Sequence, residues 1–154
     1  MIQLDSPRLN KLFPFYILID EALSIVSYGK SLQKICPNHQ GKSIERLVRV
    51  VRPQLDELTF SKLQSLVNQL SVIKLKTEKN IDLRGQFEWL AETNQLLFIG
   101  SPWFDSMEQV TETNLKIQDF AFHDPLIDLL HVLKNQEITN GELRQVVATV
   151  NRQN

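Results

Sequence analysis

The chain has 154 residues, 42% of them hydrophobic and 23% charged, with a formal net charge of -1. That is one ordinary domain with room for a core, and its near-neutral charge argues against a general nucleic-acid binder or a polybasic membrane anchor. The single cysteine, Cys36, excludes an internal disulfide framework and points to a reducing cytoplasm; neither a signal-type leader nor a membrane-length apolar run is visible.

In chain order, Asp5-Ser6-Pro7 ahead of Leu9 and Leu12 is a helix-start signal, so residues 1–12 are expected to form a leading helical segment. Phe13 to Ile19 is aromatic and β-branched, hence a strand, with a tight connection at Asp20-Glu21-Ala22 and a return strand over Leu23 to Tyr28. Ser31 is placed to cap a short helix through Ile35, which Pro37 and Asn38 stop. Gly41-Lys42-Ser43 opens a second helical segment, with Ile44, Leu47, Val48 and Val51 at helical spacing and Pro53 at its end. From Thr59 a further helix is predicted, its stripe formed by Leu63, Leu66, Val67 and Leu70. Val72 to Thr77 alternates as a strand.

The stretch from Ile81 to Pro102 is the most strongly patterned. Ile81, Leu83, Gly85, Phe87 and Trp89 fall on one face, and Asp82, Arg84, Gln86 and Glu88 on the other. Glu92-Thr93-Asn94 supplies a turn. Leu96 to Ile99 is apolar on both faces, so each face needs cover, and Gly100 and Pro102 are expected to close the strand. Trp103 to Thr113 is expected to be a loop leading into about two turns of helix. Asp124-Pro125 is an N-cap with Pro at the first helical position, followed by Leu126, Leu129, Leu130 and Leu133 on one face. Leu143, Val147 and Val150 continue a heptad frame set by Leu126 and Leu133, with Asn140 at the intervening core position and Gly141 interrupting it.

Two strands and three strands around a helical middle describe an α/β (α+β) fold of PAS type. The expectation is a five-stranded antiparallel sheet with short helices on one face, an N-terminal helical segment and a C-terminal helical exit. The expected division is residues 1–12, 13–122 and 123–154.

Particular residues sharpen this. FPFYILID, LSIVSYGKSL, GKSI, VRPQL, LRGQFEWL, QLLFIGSP and DFAFHD occur in that order. Together they resemble the haem-NO-binding-associated domain, the PAS-like H-NOX-associated module found in soluble guanylate cyclases and in bacterial signalling histidine kinases. The resemblance covers roughly Phe13 to Leu133. It implies a non-catalytic domain of a nitric oxide or two-component signalling protein, which dimerises and couples a sensor to an output domain through a helical stalk or coiled coil. It also implies that any haem belongs to a separate H-NOX sensor, so no cofactor is expected here. The open-ended heptad frame leads to the expectation that the sequence is a piece of a longer protein.

Other residues invite chemistry but fit plainer roles. Gly41-Lys42-Ser43 lacks the preceding glycine of a phosphate loop, whose position holds Cys36, and is read as a helix start. Cys36 and His39 are three apart, yet Pro37 lies between them and His123 and His131 add no complementary spacing for zinc. His123-Asp124 is read as a loop-orienting histidine beside an N-cap, and His131 as an ordinary helical residue. Arg46, Arg49 and Arg52 form a basic stripe, read as a solvated face with docking of an acidic partner as the minority alternative. Phe87, Trp89, Phe98 and Trp103 are read as core or interface.

The expected function is therefore a cytoplasmic dimerisation and signal-relay module, not an enzyme. Its expected partners are a second copy, an H-NOX haem sensor and a downstream kinase or cyclase domain, without nucleic acid or membrane. Leu9, Leu12, Phe13, Leu96 and Phe98 are the expected dimer contacts. Asp124, Leu126, Leu129, Leu133, Leu143, Val147 and Val150 are the expected relay helix. The competing class is a ligand-sensing PAS domain with its own small-molecule pocket.

Overall fold

The computed structural model describes residues 2–77, 81–104, 107–132 and 135. Helix α1 spans Ser6–Leu12 and begins as its sequence requires: Pro7 sits in the first turn and the Asp5 carboxylate accepts a hydrogen bond from the Arg8 N–H at 3.0 Å. Strand β1 (Ile17–Ile19) and strand β2 (Ile25–Tyr28) follow as an antiparallel pair, joined through Leu23 at a positive φ of 65°. Gly29 leads into helix α2 (Lys30–Ile35) at a point where the chain passes over Pro14; a Cβ on Gly29 would lie 2.0 Å from the Pro14 carbonyl oxygen. Ser31 is not the cap. It lies inside α2, while the Lys30 N–H is satisfied by the Asn10 Oδ1 of α1 at 2.7 Å.

The helix expected after Ser43 lasts a single 3-10 turn, Ile44–Arg46, with the Ser43 hydroxyl accepting from the Glu45 N–H. The chain then becomes strand β3 (Val48–Arg52), in which Val48 and Val50 are buried and Arg49 is exposed. The apparent helical stripe arose from joining Ile44 and Leu47 in the turn to a β-branched run that satisfies period two equally well. Helix α3 is also shorter than its stripe, spanning Phe60–Gln64 with the Thr59 hydroxyl accepting from the Lys62 N–H. Leu63 and Leu66 are buried, whereas Leu70 is 45% exposed past a left-handed Asn68. Strands β4 (Ser71–Leu75), β5 (Asp82–Leu90) and β6 (Gln95–Trp103) complete the sheet, followed by helix α4 (Met107–Thr113), a 3-10 turn at Ile117–Asp119 and helix α5 over residues 126–132.

All neighbouring strands are antiparallel in the order β2-β1-β6-β5-β4-β3. The PAS-like sheet is thus present, with six strands rather than five because β3 is appended beside β4. Strand β6 does not stop at Gly100 but pairs with β5 through Trp103. Because β1 pairs only with Leu96, Leu97 and Phe98, the far part of β6 has a free edge, where a proline is tolerated.

The β5–β6 register decides which side is inside. Trp89 pairs with Leu96 and Phe87 with Phe98, so these four share one face, while Leu90 and Gln95 pair on the other. Leu96 and Phe98, expected on the outer face, instead lie in the core at 0% and 1% exposure, packed with Ile17, Ile19, Leu83 and Ile73. The Phe87 and Phe98 rings are 5.1 Å apart, and the Phe98 ring lies over Gly100, where a Cβ would come within 2.7 Å of it. Gly100 does permit close approach, but towards the interior. The outward parity belongs to Leu97 and Ile99, both half-buried.

Candidate functional site

The position where a ligand-sensing PAS domain would hold its ligand is filled by side chains. The void between Ile17, Ile19, Ile44, Ile73, Phe87 and Phe98 measures about 10 Å³, the space of one water molecule, whereas pockets for drug-sized ligands measure roughly 300–1,000 Å³. Nor do Cys36 and His39 form a thiolate–imidazole pair. Burial pushes the Cys36 thiol up to about 11, and the His39 Nδ1–H is directed at the carbonyl oxygens of Cys36 and Pro37. The Tyr28 hydroxyl donates to the Cys36 carbonyl oxygen at 2.7 Å and accepts from the His39 N–H at 3.1 Å, so this loop is fixed by bonds between side chains and backbone. Among the described residues no group of three or more His, Cys, Asp and Glu is placed to hold a metal, and no helix is long and apolar enough to cross a membrane.

The residues that converge are those of the stretch Asp119-Phe-Ala-Phe-His-Asp124. The Asp119 carboxylate accepts from the Lys34 ammonium of α2 at 2.8 Å and from the Lys116 N–H at 2.7 Å, while its carbonyl oxygen takes the Ser31 hydroxyl. Partial burial alone would raise the Asp119 pKa, but the hydrogen bonds and charges of Lys34 and Lys116 together hold it below the usual carboxylate value. Phe120 is buried against Phe15, ring centroids 5.4 Å apart, at the entry to β1. The His123 Nε2–H donates to the Leu12 carbonyl oxygen at the end of α1 (2.8 Å), and its ring meets Phe13 edge-on at 6.0 Å. Asp124 then divides its two oxygens: Oδ1 caps α5 through the Leu126 N–H at 2.9 Å, and Oδ2 accepts from the Ser101 hydroxyl of β6.

One six-residue segment therefore ties α2, the end of α1, the sheet and the start of α5 to one another. Of the expected relay residues, Asp124 caps α5 and Leu126 and Leu129 lie within it, with Leu126 and Leu130 buried and Leu129 half-buried. Leu133, Leu143, Val147 and Val150 lie outside the described residues. Leu9 and Phe13 are half-buried and Leu12 is 39% exposed. Sequence reading found His123 and Asp124 but not their partners Leu12 and Ser101, nor Asp119 as the link to α2. Those pairings join positions 111, 23 and 85 residues apart, respectively, and local pattern carries no trace of them.

The outer sheet face, read across strands, has two halves. Leu18 of β1 and Leu97 and Ile99 of β6 make the more apolar half, with Ser27 of β2 and Glu88 and Gln86 of β5 as their cross-strand neighbours. The other half carries Arg49 beside Lys74, Lys74 beside Asp82, and Asp82 beside Trp103; the next row runs Arg52, Val72, Arg84 and Ser101. The basic stripe expected on a helix is thus split: Arg49 and Arg52 stand on β3, and Arg46 lies in the preceding turn.

The chain matches the Heme NO binding associated family over residues 2–80 and 74–152. It is similar to guanylate cyclase soluble subunit alpha-1 of Rattus norvegicus, 28% identical over 142 residues, which covers 85% of this chain and 20% of that protein. Subunit alpha-2 of Homo sapiens is 27% identical over 139 residues, 84% of this chain and 19% of that protein. Subunit beta-2 of Rattus norvegicus is 28% identical over 142 residues, 85% of this chain and 20% of that protein. The chain spans about a fifth of the length of these curated relatives. With the family matched across nearly its whole length and a PAS-like sheet beneath the match, this chain belongs to the Heme NO binding associated family.

Proposed function

We infer that this domain is a non-catalytic dimerisation and relay module of a cytoplasmic signal-transduction protein. It couples a haem-NO sensor to an output domain, a cyclase as in the curated relatives or a histidine kinase. The observation that carries this reading is the junction at residues 119–124, where His123 holds the end of α1 while Asp124 holds both β6 and the first turn of α5. A displacement of α1 or of the sheet is passed to the exit helix through short, directed bonds rather than through a deformable loop. Packed elements of this kind shift between discrete arrangements, which suits a relay.

The dimer contact is formed by the outward apolar half of the sheet, Leu18, Leu97 and Ile99, together with Leu9, Leu12 and Phe13. Leu97 and Ile99 take the place first given to Leu96 and Phe98. A competing reading as a ligand sensor has less support, because the interior void of about 10 Å³ leaves no room for an organic molecule. The test is sedimentation of the wild type and Ile99→Glu. A concentration-dependent dimer that the substitution dissociates without unfolding supports the relay, and a monomer at every concentration overturns its dimeric form.

A further inference from the structure

We propose that the basic half of the outer sheet face docks an acidic, amphipathic segment of a partner protein, lying from β3 across to the start of the exit helix. Four cations stand on this half, Arg49, Arg52, Lys74 and Arg84, and among the described residues none of them is in an ion pair. Asp82 stands among them with an Oδ1 that has no hydrogen-bond partner, and Asp124, whose oxygens are taken by Leu126 and Ser101, lines the side towards α5. The four cations thus outnumber the two carboxylates on this half, although the whole chain is at -1.

The face is also shaped to receive a chain. A groove of about 450 Å³ runs between Arg52, Val72, Arg84 and Trp103, and a second of about 440 Å³ continues from Arg84 and Trp103 to Leu126 and Leu129 of α5. The two meet at Arg84, whose guanidinium carbon lies 5.4 Å from the centroid of the Trp103 ring. Trp103 is 47% exposed. A flat aromatic wall carrying an arginine, flanked by valine and leucine, matches carboxylates alternating with apolar side chains.

A second copy is a poor occupant, because a two-fold axis here would set one basic half against another, and opposed like charges are repulsive. The dimer contact therefore falls on the apolar half and leaves this half free. Nucleic acid is a poorer match than an acidic segment: the cations are few, Asp82 and Asp124 stand among them, and the second groove is lined largely by Pro102, Trp103, Pro125, Leu126 and Leu129. The binding claim is independent of the dimer; only its consequence for α5 rests on the relay reading. That consequence is direct, since an occupant of the second groove lies against the same leucines that hold α5 to the domain.

The experiment titrates the whole chain into a fluorescein-labelled amphipathic peptide bearing Glu on one face and Leu on the other. Its Gln-for-Glu counterpart, a single-stranded oligonucleotide and phosphatidylserine vesicles serve as competing probes. The expected result is binding to the Glu peptide that weakens with salt and falls at least about tenfold in both Arg52→Glu and Arg84→Glu. It should be unchanged in Arg46→Glu, which alters net charge equally but lies outside the grooves. Amide exchange over residues 126–132 should slow in the bound state. Circular dichroism confirms that each variant is folded, and sedimentation shows the oligomer unchanged. No binding by wild type, equal binding of the Gln peptide, equal loss in Arg46→Glu, or preferential binding of the oligonucleotide or vesicles would each overturn the proposal while leaving the dimer reading intact.

Discussion

Replacing Asp124 by Ala removes two bonds that leave the same carboxylate in different directions. The Oδ1 contact to the Leu126 N–H is an N-cap, worth about 0.5–2 kcal/mol. The Oδ2 contact to Ser101 is a hydrogen bond between half-buried groups, with a net worth of about 0.5–1.5 kcal/mol. The expected local loss is about 1–3.5 kcal/mol, which raises amide exchange over residues 126–132 roughly 5- to 300-fold at one factor of ten per 1.4 kcal/mol. Phe87 to Phe98 lies beyond both bonds and should keep its protection. Ser101→Ala loses only the second bond, so its effect should be smaller, and the double variant should show a coupling of about 1 kcal/mol between the two sites. Hydrogen exchange read by mass spectrometry gives both quantities. Unchanged exchange over residues 126–132 in Asp124→Ala, or equal loosening of β5, would refute the claim that Asp124 fastens the exit helix.

Asp119 gives a pH-dependent prediction. Its folded pKa lies below the usual carboxylate value, so its contribution to stability is complete above the usual value and is lost as pH falls through the lowered one. Asp119→Asn should therefore flatten the acid limb of the stability curve, measured by urea unfolding at a series of pH values; a limb as steep as in wild type would argue that the Lys34 pair is silent. Gly85→Ala places a Cβ 2.0 Å from the Ile99 carbonyl oxygen and 2.6 Å from the Gly100 Cα, both backbone atoms that cannot rotate aside. Thermal unfolding should show a loss of about 1–3 kcal/mol or more, and a neutral outcome would mean that the central hairpin is wider than described.

The central hairpin was readable from sequence because Ile81 to Trp89 alternates without a break and every odd position up to Phe87 faces inward. Which side of β6 faces outward was not, because parity depends on the number of turn residues. With four residues, Ala91 to Asn94, between paired Leu90 and Gln95, Leu96 falls on the Trp89 side and Phe98 on the Phe87 side. Asn94 takes a positive φ of 49°, and its side chain accepts from the Trp89 indole N–H at 2.9 Å, which helps fix that register. Strand β3 was hidden by a different ambiguity: Ile44, Leu47, Val48 and Val51 fit a helical period, and only pairing of Val48 with Leu75 and Val50 with Ile73 selects the strand. The caps at Asp5 and Asp124 were found because capping is a local event within three residues. The partners of His123 and Asp119 were not, because a hydrogen bond across the fold leaves no periodicity in the sequence.

The most direct test of the relay reading is sedimentation equilibrium of the wild type, Ile99→Glu and Phe98→Glu, each checked by circular dichroism. Ile99 is half-buried on the outer apolar half, so a glutamate there sets an unpaired charge in the proposed dimer contact and should weaken association by about 2–5 kcal/mol, roughly 30-fold or more, with the fold retained. Phe98 is 1% exposed in the core, so the same charge one residue earlier should unfold the domain. A folded Ile99→Glu monomer beside an unfolded Phe98→Glu is the predicted result. A folded Ile99→Glu with the dimer affinity of the wild type would contradict the account.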